Sequence, residues 1–343
     1  MPRQHTYAPA WWVPGRHLRT LYGRLTRPLR RRRPQRDLRV ERWATPDDDV
    51  LELRRMDAPP GAGTTHLLLL HGLEGGLHSH YVHNVFDEAA ARGWSADLIL
   101  FRGCGGTANN ARRFYHSGET SDLAFALDRI IAESPSRSIV LAGVSLGGNV
   151  LLKYLGERGA EVPRQIRAAA AMSVPFDLAR GCRHIQRGFS RVYERHFLKT
   201  LTAKARAKIA RYPDLLEDPA VLDRVRTLWD FDDVVTAPVH GFANAADYYA
   251  RSSSIGFLHG IRVPTLLLSA EDDPFLPPEV LAEVREIAQD VPDIEVEFVK
   301  QGGHVGFVSG WRPWRAINYG EWRMVNFLET AAGKAARSGP EDQ

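Results

Sequence analysis

Apolar positions in this chain fall into short unbroken runs separated by longer amphipathic stretches. The runs are His66-Leu67-Leu68-Leu69-Leu70, Asp97-Leu98-Ile99-Leu100-Phe101, Ser138-Ile139-Val140-Leu141-Ala142-Gly143, Ala168-Ala169-Ala170-Ala171-Met172-Ser173-Val174 and Pro264-Thr265-Leu266-Leu267-Leu268-Ser269-Ala270. A run of that length with no polar face predicts a strand buried on both sides. Ile294-Glu295-Val296-Glu297-Phe298-Val299 reads as one more strand. Between them, helices are predicted from Ser79 to Arg92, Ser121 to Ala132, Val150 to Leu155, Pro278 to Gln289 and Glu321 to Ala332, with Ser121 as the cap of its helix. Strand–helix alternation predicts an α/β fold, a mostly parallel central sheet with helices on both faces. Such sheets carry their sites at the carboxyl ends of the strands, where glycine-rich loops follow Leu70, Phe101 and Val144.

Before this core, Leu38-Arg39-Val40-Glu41-Arg42-Trp43 and Val50-Leu51-Glu52-Leu53-Arg54-Arg55-Met56 alternate around the turn Thr45-Pro46-Asp47-Asp48-Asp49. They read as an antiparallel hairpin at a sheet edge. Residues 1–37 form an arm whose Trp11, Trp12, Leu18, Leu21 and Tyr22 are too apolar for a free tail, so the arm should pack on the core or near the mouth of the site. From about 175 to 260 the alternation stops. Phe189, Val192, Tyr193, Phe197 and Leu201 follow helical spacing, with Arg191, Glu194, Lys199 and Lys204 off that face. This stretch is expected to be a helical lid inserted into a domain spanning 38–332. A polar, disordered tail is expected over 333–343.

The chain has 343 residues, 44% of them hydrophobic, which suffices for one large domain with an insertion. No run approaches the ~20 apolar residues that span a bilayer. The opening residues lack the apolar core of a signal peptide, so the cytoplasm is the default location. Two cysteines, Cys104 and Cys182, make neither a disulfide framework nor a zinc site, and reduced thiols are expected. The net charge of +4 is concentrated at Arg24, Arg27, Arg30, Arg31, Arg32, Arg33, Arg36 and Arg39. With no interleaved aromatics and no nucleic-acid motif, this run reads as a solvated arm, not a nucleic-acid site; contact with an anionic membrane stays open.

The chemistry starts at Gly143-Val144-Ser145-Leu146-Gly147, a Gly-x-Ser-x-Gly at a strand-to-helix joint. That is a nucleophile elbow, which holds a serine hydroxyl clear of the sheet. A neutral hydroxyl needs a base, and the base an orienting carboxylate. The order expected along the chain is Ser, acid, His. After the strand ending at Ala270 come Asp272 and Asp273, adjacent and therefore divergent. Asp273 is favoured because it lies four residues before Pro277 in an Asp-x-x-x-Pro turn. After the last strand, Gly302-Gly303-His304 supplies the base, His304. The oxyanion needs two donors, assigned to the N–H groups of Leu146 and of Leu73 in His71-Gly72-Leu73.

Other motifs do not displace this reading. His78-x-His80-x-x-His83 lacks an acidic partner for a metal site. Gly103-Cys104-Gly105-Gly106 lacks dinucleotide spacing. Tyr115-His116-Ser117-Gly118-Glu119 either lines the site or leads into the next helix.

Taken together, His71-Gly72-Leu73-Glu74-Gly75, Ser79-His80-Tyr81-Val82, Phe101-Arg102-Gly103-Cys104-Gly105-Gly106, Tyr115 to Thr120, the elbow, Phe231-Asp232-Asp233, Tyr248-Tyr249, Ser253-Ser254 and Asp272-Asp273-Pro274-Phe275 resemble the α/β-hydrolase superfamily. Within it they are most similar to its YheT-like branch, AB hydrolase family 4. Arg16-His17-Leu18-Arg19-Thr20 fits that branch too, with Arg19 where Gln is more usual. The resemblance implies serine carboxylic-ester hydrolysis of short- or medium-chain acyl esters or acylglycerols. It implies a small, lipid-like ester as partner, and neither cofactor nor metal. Acyl transfer to alcohols, or a non-catalytic binder on the same fold, are the alternatives; oligomeric state is not legible.

Overall fold

The structure is a computed structural model and describes residues 6–30, 38–61, 63–106 and 109–337. In chain order the strands are β1 (Arg39–Ala44), β2 (Val50–Met56), β3 (Thr65–Leu70), β4 (Ser95–Leu100), β5 (Ser138–Val144), β6 (Ile166–Met172), β7 (Thr265–Ala270) and β8 (Ile294–Val299). They form one sheet in the order β1-β2-β4-β3-β5-β6-β7-β8. β1 and β2 are an antiparallel hairpin at one edge, and β2 pairs antiparallel with β4. All other neighbours are parallel. Two short strands, β9 (Val308–Ser309) and β10 (Ile317–Asn318), pair separately, and the sequence pattern is too short there to foretell them.

The unbroken runs are unbroken because both faces are covered. Leu68 and Leu70 of β3 and Leu141 of β5 point into one core, shared with α3 (Ser121–Glu133), α4 (Leu146–Arg158) and α10 (Pro278–Gln289). Leu67 and Leu69, with Val140 and Ala142, point into the other, shared with α2 (His80–Ala91) and α11 (Tyr319–Arg337). Alternation along a strand thus separates two apolar faces, not an apolar face from a polar one.

Between β6 and β7 lie α5 (Leu178–Ile185), α6 (Arg191–Arg211), α7 (Leu228–Phe231), α8 (Ala237–His240) and α9 (Ala245–Ser252). These helices have small cores of their own, one around Leu198, Ala205 and Phe231, another around Cys182, Tyr248 and Tyr249. A π-helical turn, Asp232–Thr236, joins α7 to α8. Ahead of the sheet, α1 (Arg16–Arg30) packs near α2: a Cβ added at Gly23 would lie 2.2 Å from the His80 ring.

Three expectations need correction. Ser121 is not a cap but the first residue of α3, its N–H taken by Glu119 Oε1 at 2.7 Å. α11 continues to Arg337, five residues beyond Ala332, so that 333–337 are helical where a disordered tail was expected. On α6 apolar spacing selects the inward face only in part: Tyr193, Phe197 and Leu201 turn inward as expected. Val192, like Phe189 just ahead of it, is half exposed, whereas Glu194 is buried and accepts the Leu228 N–H at 2.9 Å. Arg31, Arg32, Arg33, Arg36 and residues 338–343 lie outside the described residues. Among the described residues no helix is long and apolar enough to cross a membrane.

Candidate active site

β5 ends at Val144, and Ser145 turns the chain into α4 with φ 54° and ψ −123°. A non-glycine residue there is strained. The strain is held by the Ser145 N–H, which donates to Met172 O on β6 at 2.8 Å. The flanking glycines are required sterically. A Cβ on Gly143 would lie 2.6 Å from Gly147 O, and one on Gly147 2.5 Å from His71 O and 2.6 Å from Leu70 O. Only bare backbone lets the start of α4 sit against the end of β3. The consequence is chemical as well as spatial: the N-terminal end of α4, with its partial positive charge, points at the serine.

His304 sits in the loop after β8. Its Nε2 is 3.0 Å from Ser145 Oγ and its Nδ1 2.8 Å from Asp273 Oδ2. The carboxylate only accepts, so Nδ1 carries the hydrogen and the Nε2 lone pair faces the hydroxyl. Asp273 is buried, and its Oδ1 accepts the Phe275 N–H at 2.8 Å. The Phe275 ring lies 4.1 Å from the imidazole.

The neighbouring carboxylate takes a different job. Asp272 Oδ1 accepts the N–H groups of Gly302 and Gly303 at 2.7 and 2.8 Å, bracing the loop that presents His304. Its Oδ2 meets Arg19 Nη1 at 3.3 Å, and Arg19 Nη2 donates to Gln301 Oε1 at 3.0 Å. Arg19, the departure noted above, is therefore buried against the histidine loop. Beside it, Thr20 Oγ1 accepts the His304 N–H at 2.9 Å, and Ser173 Oγ accepts the Val305 N–H at 3.0 Å. Sequence reasoning missed these three supports. Ser173 left a faint signal as a polar residue ending an apolar strand; Arg19 and Thr20 left none beyond the family resemblance.

The loop after β3 closes the opposite side. His71 Nε2 accepts the Phe101 N–H at 3.1 Å, so Nδ1 carries the hydrogen and donates to Gly72 O at 2.7 Å. Burial pushes its pKa down to about 4, so the ring is a neutral clamp between the ends of β3 and β4. Gly72 N–H is tied to Tyr81 OH at 2.8 Å, and Glu74 N–H to Tyr115 OH at 2.9 Å. Leu73 N–H, between them, makes no hydrogen bond among the described residues. Leu146 is the first residue of α4, and its N–H has no intrahelical acceptor. Both leucines line the cavity that opens at Ser145.

That cavity, about 300 Å³, is walled mainly by apolar side chains, Leu178, Ile185, Phe197, Leu201 and Phe231 among them, and includes Ser145 and His304. Tyr115, His116 and Ser117 are in its wall, so that stretch lines the site. Polar groups in the wall are tightly partnered. Lys204 donates to Glu74 Oε1 at 2.7 Å and to Cys104 Sγ at 3.3 Å. Lys208 donates to Asn109 Oδ1 at 2.8 Å, and burial brings its pKa down to about 8. Asp232, on the π-helical turn, accepts from Thr236 Oγ1 and Tyr249 OH, both at 2.6 Å. Burial raises its pKa to about 6 against those two bonds. Elsewhere, His80 turns its Nε2 to Val305 O at 3.2 Å, and among the described residues no three His, Cys, Asp or Glu side chains could hold a metal.

Comparison with known proteins gives concordant results. The family described as alpha/beta hydrolase fold matches residues 65–310. YheT of Escherichia coli (strain K12), named provisionally as an esterase, is 38% identical over 319 residues, 91% of each chain. The monoacylglycerol lipase of Saccharomyces cerevisiae is 30% identical over 274 residues, 77% of this chain but 58% of the yeast protein. Among solved structures, the Pyrococcus furiosus esterase Pf2001 superposes with a TM-score of 0.56 at 17% identity, covering 86% of this chain and 90% of that one, a likeness of fold.

Proposed function

The chain belongs to the alpha/beta hydrolase fold family, in its YheT-like branch, and on that premise we propose that it hydrolyses carboxylic esters through an acyl-enzyme on Ser145. The observation that carries this reading is the hydrogen-bonded line from Ser145 Oγ to His304 Nε2 and from His304 Nδ1 to Asp273, at the floor of an apolar cavity.

In the proposed mechanism the acyl chain lies along the apolar wall and its carbonyl carbon meets Ser145 Oγ. His304 Nε2 takes the hydroxyl proton as the new C–O bond forms, and Asp273 stabilises the resulting imidazolium. Charge moves onto the carbonyl oxygen, where the N–H groups of Leu73 and Leu146 receive it; donors of this kind contribute about 3–4 kcal/mol each to the barrier reduction. The tetrahedral intermediate collapses by breaking the bond to the alcohol, which leaves with the proton from His304. Water, activated by the same imidazole, then releases the acid and restores the serine. The helices between β6 and β7 act as a lid over this chemistry. YheT and the yeast lipase support an ester substrate, and the apolar wall supports a lipid-like one.

The test is labelling with a fluorophosphonate probe, which reacts with activated serines. The parent protein should label and Ser145→Ala should not. Equal labelling of the two would overturn the proposal, as would failure of the parent to cleave any p-nitrophenyl ester in a series of chain lengths.

A further inference from the structure

Helix α1 is amphipathic in the unusual sense. Leu18, Leu21 and Leu25 are spaced i, i+3, i+7 and so share one face. In a surface helix that stripe normally faces the core. Here its two ends face out, Leu18 being 40% and Leu25 61% exposed with Leu21 between them half-buried, while Arg19 and Gly23 are the residues turned inward.

The inversion continues on both flanks. Trp11 Nε1 donates to Trp311 O at 3.2 Å and the two rings lie 6.5 Å apart, yet Trp11, Trp311 and Trp314 are 68%, 78% and 75% exposed. On the other flank His17 packs its ring 4.7 Å from Phe189, which is half exposed, as is Val192. These adjoining segments hold seven of the eight large hydrophobic side chains exposed among the described residues, Val40 being the eighth. Single exposed apolar residues need no explanation; a contiguous set does.

Charge completes the pattern. Residues 6–30, 178–193 and 300–320 contain no Asp or Glu. Arg16, Arg187, Arg191, Arg312 and Arg315 are exposed there, and among the described residues none of them forms an ion pair. Exposed tryptophans and leucines interleaved with unneutralised arginines are the chemistry of an interface between hydrocarbon and anionic headgroups. A nucleic acid would use the arginines and leave the hydrocarbon in water. A second copy would set arginines against arginines with no carboxylate between them.

We propose that Trp11, the outer face of α1, the 311–315 turn and the Phe189–Val192 corner form a docking face for an anionic lipid bilayer. The face adjoins the candidate site. Ring contacts run from Phe189 to Tyr193 at 5.9 Å, to Phe275 at 4.9 Å and to His304 at 4.1 Å. Adsorption would thus bring the Ser145 cavity beside a reservoir of apolar esters.

The experiment is sedimentation of the full chain with vesicles of phosphatidylcholine, with and without phosphatidylglycerol. The parent should sediment only with the anionic vesicles, and less at high salt. Each arginine neutralised near such a surface should weaken binding about fivefold, so Arg312→Ser with Arg315→Ser should weaken it about 25-fold. Trp311→Ala with Trp314→Ala should abolish most binding while leaving far-UV circular dichroism and turnover of a soluble p-nitrophenyl ester as in the parent. A parent that stays in the supernatant with every vesicle, or tryptophan variants that sediment as the parent does, would overturn the proposal. So would a concentration-dependent dimer lost in the tryptophan variants without vesicle binding, which would give the face to a second copy. Sedimentation requires no turnover, so failure of the esterase reading would leave this result standing.

Discussion

Asp272 and Asp273 are neighbours whose carboxylates both serve His304, and removing them should do different damage. Asp273→Asn keeps the shape and the acceptor for Phe275 N–H, but an amide presented to Nδ1 at 2.8 Å favours the other imidazole tautomer. Nε2 then carries the hydrogen and no longer accepts from Ser145 Oγ at 3.0 Å. Loss of that acceptor is expected to lower kcat by about 10⁴ with KM and stability near parental. Asp272→Ala removes the acceptor for two buried backbone N–H groups and the partner of a buried arginine. Each orphaned donor costs about 1–3 kcal/mol, so about 2–6 kcal/mol of stability should go. The folded fraction keeps its hydrogen-bonded line, and a loosened loop should reduce kcat by no more than about 10²-fold. Steady-state turnover of a p-nitrophenyl ester, paired with urea unfolding, separates the two. If Asp273→Asn stays within tenfold of the parent (~1.4 kcal/mol), or if Asp272→Ala loses kcat as heavily while unfolding at the parental urea concentration, the assignment of roles is wrong.

Two further predictions follow from single atoms. Gly147→Ala puts a methyl group 2.5 Å from one carbonyl oxygen and 2.6 Å from another, both backbone, so α4 must retreat from β3 and carry Leu146 N–H with it; stability should fall by about 1–3 kcal/mol and kcat by at least tenfold, and a variant with parental values in thermal unfolding and turnover would show that the close approach is dispensable. Asp232 has a folded pKa of about 6 against an ordinary 3.8, so the folded state holds its proton more tightly and ionisation above pH 6 costs stability. That cost grows from the unfolded value upward and is complete above the folded one, reaching ~3 kcal/mol. Asp232→Asn, with Tyr249 OH turning to Cys182 Sγ at 3.3 Å, should therefore raise the unfolding free energy at pH 8 and leave it unchanged at pH 4; an equal shift at both values would disprove the charge argument.

The eight-stranded sheet was legible because each central strand is a short run with no polar face, ended by glycine or by a turn. The candidate site was legible for a related reason. Ser145, Asp273 and His304 are 128 and 31 residues apart along the chain, but each follows a parallel strand within a few residues. A parallel sheet puts all those strand ends on one edge, so a rule about local position does the work of a rule about distance. Nothing comparable exists for Arg19 and Asp272, or Thr20 and His304, which meet across most of the chain with no local pattern to mark either partner.

The misread positions of α6 are more informative than the agreements. Hydrophobic spacing sorts a helix into inside and outside by assuming that polar side chains go to water. On α6 that assumption fails at Glu194, which bonds the Leu228 N–H, and at Lys204, which bonds Glu74 and Cys104. It fails in the opposite direction at Val192, half exposed on the proposed bilayer face, as Phe189 is just before the helix. A segment selected only for stability would have no use for either failure, since buried polar groups contribute little net stability and exposed apolar ones none. Lys204, Lys208 and Asp232 all line the cavity that contains Ser145, and the misplaced valine lies one residue from Tyr193, whose ring packs on Phe275 beside His304. Places where amphipathic logic breaks are expected at functional surfaces. Here Lys204 falls on the surface facing the serine and Val192 on the one proposed to face the bilayer, the two surfaces a lipid-like ester would have to cross, while Glu194 ties α6 to the first residue of α7.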